Sequence, residues 1–292
     1  RELHLSIRRQ RQMCIRDRPT RECFSLGRVS FSEKAPISIQ NKLDLFGREP
    51  GRFALRAIMA GVLLGIMTAF AAATATLTES YAPGWGKYPF AMIFAVTLYM
   101  MVVLQSELAT GNMMFMTYGL VHKMTKIPRA LLVILFVTFF NLVGAIIVSW
   151  LISMTTTGQN AETTMPFLSS LWEAKLAKPS LTLFFEAILA NMVVNVGFIL
   201  TAQAGKDHSA KIWAVAIIIP AFAAMGYEHS IANFVLTTLN GFMFDPSSIE
   251  GFTVGNVLRN WTIVWLGNLV GGGLIMGGIY GWLNRTRTNY RD

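Results

Sequence analysis

Six apolar segments recur along the chain, and each has at least the ~20 residues that a membrane-spanning helix needs. They predict helices over residues 53–77, 89–118, 130–154, 181–202, 212–243 and 254–283. The pattern therefore predicts an all-α polytopic membrane protein with six transmembrane helices.

The second and fifth apolar segments are longer than one crossing requires, and polar residues interrupt both near the middle, at 107–112 and 226–233. Breaks of this kind persist at membrane depth only where they are buried in protein or line a cavity. The second interruption places Glu228 beside His229, and an ionisable group at this depth is by default a functional-site hypothesis. We therefore expect broken second and fifth helices.

An internal repeat relates the two halves of the chain. The tetrapeptide Asn-Leu-Val-Gly at 141–144 recurs at 268–271, an offset of 127. A Glu followed five positions later by Asn also recurs, at an offset of 121. The residues of this second match are Glu107 with Asn112 and Glu228 with Asn233. An inverted 3+3 repeat with one broken helix in each half typically places a permeation site at the breaks.

Composition and charge agree with a membrane protein. Of 292 residues, 53% are hydrophobic and only 14% are charged, and the mean hydropathy is +0.47. The net charge is +9, but residues 1–56 alone hold 13 Lys/Arg and 6 Asp/Glu. A basic flank beside an apolar segment indicates cytoplasmic anchoring rather than nucleic-acid binding.

Charges in the connections orient the predicted spans. Lys and Arg cluster at 48–56, 123–129, 206–211 and 285–291, whereas the alternate connections are richer in Asp and Glu. The positive-inside rule places both termini in the cytoplasm. We expect a multi-pass protein of a bacterial inner membrane.

The N-terminal region has a different character. Residues 1–24 resemble translated adaptor or vector sequence, and we expect them to be non-native. Cys14 and Cys23 lie there, so no disulfide framework or cysteine metal site is predicted. The spacing of Ile39, Leu43 and Phe46 fits either a short amphipathic helix on the membrane surface, over 38–46, or a disordered tail. The predicted regions are a basic segment (1–37), a cytoplasmic amphipathic segment (38–52), the transmembrane domain (53–284) and a cytoplasmic tail (285–292).

Four motifs carry a resemblance that covers about 45–283. They are Gly-Tyr-Glu-His-Ser-Ile-Ala-Asn at 226–233, Glu-Leu-Ala-Thr-Gly-Asn at 107–112, Ile-Leu-Ala-Asn at 188–191 and Gly-Asn-Leu-Val-Gly-Gly-Gly at 267–273. Together they resemble the formate/nitrite transporter family of pentameric anion channels. The resemblance implies six helices per protomer, an aquaporin-like outline, a pore through each protomer of a homopentamer, and membrane lipid around it.

The same resemblance implies roles for individual residues. His229 matches the central pore histidine of the family, and Thr110 matches the threonine that hydrogen-bonds it. The alternative is that His229 is a buried core histidine whose ring is hydrogen-bonded by a neighbouring residue. Lys175 lies 16 positions before Asn191, as the vestibule lysine of the family does, which favours it over Lys178. Either lysine could also be a solvated loop residue.

Apolar gates and supporting polar residues are implied as well. One gate would be formed by Phe94 and Leu98 and the other by Leu108 with Phe222, although taken alone these would be core or lipid-facing positions. Ala109 stands where some family members have Phe, which leaves the width of the inner constriction open. The pore-supporting polar residues are Asn191, Asn268, Glu228, Asn112 and Asn233. Asn191 and Asn268 match paired asparagines that could equally serve only to join helices, and Glu228 is interpreted as an acceptor that holds the broken helix.

The expected activity is transport of a small monovalent anion together with a proton, and not enzymatic catalysis. Formate, nitrite, hydrosulfide, acetate and lactate all remain candidates. The alternatives are a passive pore for water or a neutral solute, and a membrane-embedded enzyme or metalloprotein. The four histidines are His4, His122, His208 and His229, and their separation predicts neither a metal site nor a cofactor.

Overall fold

The structure is a computed structural model, and it describes residues 30–288. Within that range every regular element is a helix. The predictions for residues 1–24, for both cysteines and for the end of the C-terminal tail lie outside the described residues. The helices are α1 (Phe31–Arg48), α2 (Pro50–Tyr81), α3 (Lys87–Val103), α4 (Ala109–Val121), α5 (Ile127–Ser153), α6 (Thr156–Gln159), α7 (Ala161–Thr164), α8 (Pro166–Leu176), α9 (Ser180–Gln203), α10 (His208–Ala224), α11 (Ser230–Met243), α12 (Val254–Asn268) and α13 (Gly278–Leu283). A π-helical stretch (Leu269–Gly277) joins α12 to α13, and a 3-10 turn (Pro246–Ser248) precedes α12.

The described chain is all-helical, as predicted, and each of the six apolar segments lies mainly in helices. Four stretches are long and apolar enough to cross a membrane, namely α2, α5, α9 and the continuous run Val254–Leu283. The second and fifth segments are each divided into two helices, α3 with α4 and α10 with α11. The helix that follows each break reaches toward the other half of the chain, since α4 packs against the π-helical stretch and α11 packs against α5 and α2.

Both breaks begin earlier than the sequence indicated. The non-helical residues are 104–108 and 225–229 rather than 107–112 and 226–233. Thr110 and Asn112 therefore lie in the first turn of α4, and Asn233 lies in the first turn of α11. Gly226 turns the second break with a φ of +70°, which a side chain would disfavour.

Helix α1 is longer than the predicted segment and packs on protein. Its buried positions are Phe31, Ala35, Ile39 and Leu43, one apolar residue per turn. The Phe31 ring lies 5.7 Å from that of Tyr118 in an edge contact. The amphipathic pattern therefore reflects docking against α4 and α2, and not a disordered tail or a face turned toward lipid.

Close helix contacts depend on small residues. A Cβ added at Gly144 of α5 would overlap the carbonyl oxygen of Ile58 in α2, and one added at Gly271 would overlap that of Ile188 in α9. These helix backbones approach closely because no side chain stands between them. Gly278, whose added Cβ would meet nothing within 4 Å, has no such role within the chain.

We expect the substitution Gly144→Ala to destabilise the protein. The new methyl group would meet backbone, which cannot rotate away, so α2 and α5 must separate at a cost of about 1–3 kcal/mol. Gly278→Ala is the matched control, because it makes the same change in open space. The thermal midpoint in detergent measures both variants, and equal midpoints would contradict the close approach of α2 to α5.

Candidate functional site

His229 is the last residue of the second break, and its ring reaches the start of α4 at the other break. Its Nε2 lies 2.9 Å from Oγ1 of Thr110, and both side chains are buried. The Ala232 N–H donates to His229 Nδ1 across 3.2 Å. Nδ1 is thus the acceptor nitrogen of a neutral imidazole, and Nε2 carries the proton that is donated to the Thr110 hydroxyl.

One asparagine side chain holds each break in place. Asn141 donates to Ala57 O (2.7 Å) and Glu107 O (2.8 Å) and accepts from the Ala109 N–H (2.9 Å). Asn268 donates to Ala187 O (2.7 Å) and Glu228 O (3.0 Å) and accepts from the Ser230 N–H (2.8 Å). Each amide therefore satisfies one carbonyl and one N–H at a break, which the interruption leaves outside the helical ladder, and ties them to a carbonyl of a neighbouring helix.

Glu228 lies fully buried beside His229 and is surrounded by donors. Its Oε1 accepts from Lys175 (2.9 Å) and Lys178 (2.8 Å), and its Oε2 accepts from the Asn233 amide (2.6 Å). These contacts make an ionised carboxylate acceptable where an unpaired one would be strongly unfavourable. The amide of Asn233 also donates to Asn260 Oδ1 across 2.8 Å.

Glu107 has the corresponding surroundings at the first break. Its Oε2 accepts from the Asn112 amide across 2.9 Å and forms a salt bridge with Lys42 of α1. Sequence analysis did not identify Lys42, which lies 65 positions before Glu107. The repeat of Glu228 and Asn233 as Glu107 and Asn112 could have indicated that a cation lies near Glu107, because a second buried carboxylate also needs one.

The two lysines beside Glu228 differ in their surroundings. Along the chain, both lysines lie between the long helices α5 and α9. Lys175 is on α8, and Lys178 is in the connection from α8 to α9. Burial lowers the pKa of Lys175 even though Glu228 lies against it. Burial also disfavours the charge of Lys178, but Glu228 and Glu186 outweigh this effect and raise the pKa of Lys178.

Three cavities follow one another through the protein and meet at shared residues. One of them, here called the Lys175 cavity because Lys175 lines it, has a volume of about 40 Å³. A second, here called the Leu108 cavity because Leu108 lines it, has a volume of about 30 Å³. Phe94, Phe222 and His229 line both of them. The wide cavity, of about 540 Å³, lies beyond Met101, which also lines the Leu108 cavity.

The four predicted gate residues line this row of cavities, but the contacts between them group them differently from the prediction. The rings of Phe94 and Phe222 are 6.1 Å apart in an edge contact between the two small cavities. Leu98 and Leu108 line the Leu108 cavity. Sequence analysis overlooked Thr68, which lines the Lys175 cavity, and Thr97, which lines the Leu108 cavity; both hydroxyls are buried without a hydrogen-bond partner in the described chain.

Asn191 connects helices rather than facing a cavity. Its amide donates to Asn268 O across 2.7 Å, and its Oδ1 accepts from Asn195, one helical turn further along α9, across 2.9 Å. The pairing of Asn191 with Asn268 thus runs from side chain to backbone. Among residues 30–288, no three His, Cys, Asp or Glu side chains are arranged to hold a metal ion.

We expect the substitution Asn268→Leu to destabilise the second break. It would leave three buried backbone groups without their partner, and each such group costs about 1–3 kcal/mol. Asn41→Leu, at an exposed position of α1, is the control for loss of an amide. Thermal unfolding in detergent compares the two variants, and an Asn268→Leu protein as stable as the control would contradict the role of this amide.

Comparison with known proteins gives consistent matches. The sequence matches the family described as formate/nitrite transporter over residues 33–282. An uncharacterised transporter of Bacillus subtilis is 31% identical over 248 residues, which cover 83% of this chain and 93% of that protein. A nitrite transporter of Escherichia coli is 30% identical over 235 residues, which cover 80% of this chain and 84% of that protein.

Solved structures share the fold. An ion channel of the same family aligns with a TM-score of 0.78 at 26% identity, covering 86% of this chain and 97% of that chain. A pentameric formate channel with formate bound aligns with a TM-score of 0.66 at 21% identity, covering 80% of this chain and 96% of that chain. The protein is therefore a multi-pass membrane protein that belongs to the formate/nitrite transporter family.

Proposed function

We propose that this protein carries small monovalent anions such as formate or nitrite across the membrane together with a proton. The observation that carries the proposal is the row of cavities that meets at His229, with a buried lysine lining one end. Family membership supports the substrate class and a transport rather than an enzymatic activity. Each protomer of a homopentamer would hold its own pore.

The proposed topology has six membrane crossings related by an inverted 3+3 repeat. Its support is that corresponding residues make corresponding contacts, Asn141 with the first break and Asn268 with the second. The wide cavity is lined by five basic side chains, which favours the cytoplasmic side for it and for both termini. These side chains are Lys34, Lys42, Arg48, Arg56 and Lys211. The Lys175 cavity would then face the outside of a bacterial inner membrane.

The apolar stretch of the pore argues for passage as a neutral acid. Phe94 and Phe222 separate the two small cavities, and a bare anion crossing so dry a region would lose hydration worth on the order of tens of kcal/mol. A protonated anion avoids most of that cost. The lysines hold the anion in its charged form at the mouth, so the proton would be acquired as the anion passes from the lysines toward the rings.

His229 is the proposed proton relay: it would take up a proton from water to become imidazolium and pass that proton to the anion, and water itself is the other possible donor. Its Nε2–H lies against the Thr110 hydroxyl, which both accepts and donates and can follow either protonation state. The ring also lines both small cavities, so it borders the substrate on either side of the constriction. The orphan hydroxyls of Thr68 and Thr97 are available to hydrogen-bond the acid in the two cavities.

The gate assignment is revised by the geometry. We propose one aromatic constriction formed by Phe94 with Phe222, and one aliphatic constriction formed by Leu98 with Leu108 on the side of the wide cavity. The support is the ring contact between the phenylalanines and the position of both leucines on the Leu108 cavity alone.

A passive pore for water or a small neutral solute is the second candidate. The volumes of the small cavities, about 30 and 40 Å³, are close to the ~30 Å³ that one water molecule occupies in the liquid. Osmotic swelling of proteoliposomes without anion flux would favour this function.

Labelled formate flux into proteoliposomes at several pH values tests the main proposal. We expect faster uptake as the external pH falls, with one proton entering for each formate, because the neutral acid is the crossing species. A pH-sensitive dye inside the vesicles counts protons, and protein-free vesicles report leakage of formic acid. Electrogenic formate flow without proton uptake would overturn the coupling.

The substitution His229→Asn tests the relay. We expect the pentamer to assemble, while flux at neutral pH falls on the order of 10²-fold, the lower end of what a positioned proton donor contributes. The pH dependence should change as well, because asparagine does not titrate. His208→Asn, at an exposed position, is the matched control. A His229→Asn profile that matches the control would count against the relay.

A further inference from the structure

Lys178 is held by two carboxylates from different elements. Its Nζ lies 2.8 Å from Glu228 Oε1 at the second break and 2.5 Å from Glu186 Oε2 on α9. It also donates to Gly226 O across 2.7 Å. The backbone around Lys178 is fixed by Arg259, which donates to Lys178 O (3.0 Å) and to Leu176 O (2.6 Å).

All donors of both lysines are engaged. An ammonium group has three N–H donors, and Lys178 directs them to Gly226, Glu228 and Glu186. Lys175 directs its three to Gly226 O (3.4 Å), Tyr227 O (3.2 Å) and Glu228 (2.9 Å). An incoming anion can therefore hydrogen-bond a lysine only by displacing an existing acceptor.

Of the two carboxylates that hold Lys178, Glu186 is the one that an anion can displace more readily. Glu228 is fully buried and is held by Asn233 as well, and the remaining acceptors are backbone carbonyls. The Glu186 and Lys178 side chains are each 21% exposed, so a released Glu186 carboxylate can be hydrated. Displacing Glu186 is therefore less costly than displacing Glu228, whose carboxylate would remain buried without hydration.

The charges and the functional groups of the cluster also favour replacement of Glu186 by an incoming anion at Lys178. Lys175, Lys178, Glu186 and Glu228 together carry no net charge when all are ionised, so the cluster is not by itself an electropositive site. A free formate carries the same functional group as the Glu186 side chain. The carboxylates keep Lys178 charged by raising its pKa, whereas burial lowers the pKa of Lys175.

We propose that Glu186 sets the affinity of the Lys178 side of the pore for anions, by acting as a tethered carboxylate that the transported anion must displace from Lys178. This inference rests on the proposed anion transport. It assigns the first capture of the anion to Lys178, before the anion reaches the cavity that Lys175 lines. Glu186 is then a residue that tunes affinity through Lys178, and not one that contacts the anion along its path.

The test is the half-saturation concentration for uptake of labelled formate by cells that express the full chain. Glu186→Gln removes the competing charge and leaves Lys178 with a neutral, weaker acceptor that an anion displaces more easily, so we expect half-saturation to fall about three- to fivefold. Glu162→Gln is the matched control, because it makes the same charge change at an exposed position in the segment between α5 and α8. This control should leave half-saturation nearly unchanged.

A double-substitution cycle separates competition from a structural role. Lys178→Met should raise half-saturation, and adding Glu186→Gln to Lys178→Met should then have no further effect. A Glu186→Gln protein that behaves like Glu162→Gln, or an effect of Glu186→Gln that persists without Lys178, would overturn the inference. Absence of formate uptake by the unaltered chain would instead refute the proposed function.

A conservative variant covers the case in which Glu186→Gln fails to assemble. Glu186→Asp keeps the charge but draws the carboxylate back by one methylene, which weakens its contact with Lys178. We expect half-saturation between those of the unaltered chain and the Gln variant, with normal assembly in size-exclusion chromatography. An assembled Glu186→Asp protein with unaltered half-saturation would also contradict the competition.

Discussion

The structure depends on satisfying backbone polar groups where two membrane helices are broken. Without water at this depth, an open helix end needs partners from the protein itself. Asn141 and Asn268 supply them: each side chain directs one donor and its acceptor oxygen at a break and uses its second donor to join that break to a neighbouring long helix, α2 or α9. The contact between Thr110 and His229 exists because both breaks are held at the same level of the protein.

The breaks also bury two carboxylates, and this has consequences far from the pore. A buried carboxylate needs a cation or strong donors. Glu107 obtains Lys42 from α1, and Glu228 obtains Lys175 from α8 and Lys178 from the following connection. Two elements outside the long helices, α1 and α8, are thereby tied to the interior by ion pairs.

Capture and crossing involve different physics in this arrangement. At the Lys178 side, charge and partial hydration favour an anion, and the strength of capture reflects competition among carboxylates for a limited number of N–H donors. Between Phe94 and Phe222, burial among apolar groups favours a neutral species. His229 lines the cavities on both sides of these rings, which is why the proposed change of protonation is assigned to it.

The sequence by itself determined the helical segments, the presence of two breaks and the family. These follow from local composition and from motifs, because the transfer of a segment into lipid depends mainly on its own residues. Only the tertiary structure decided which distant side chains meet: Lys42 with Glu107, Phe94 with Phe222, and Glu186 with Lys178. It also moved the start of each break and turned the apolar face of α1 toward protein. Such contacts arise from how helices cross and how deep each lies, and no spacing along the chain specifies that geometry.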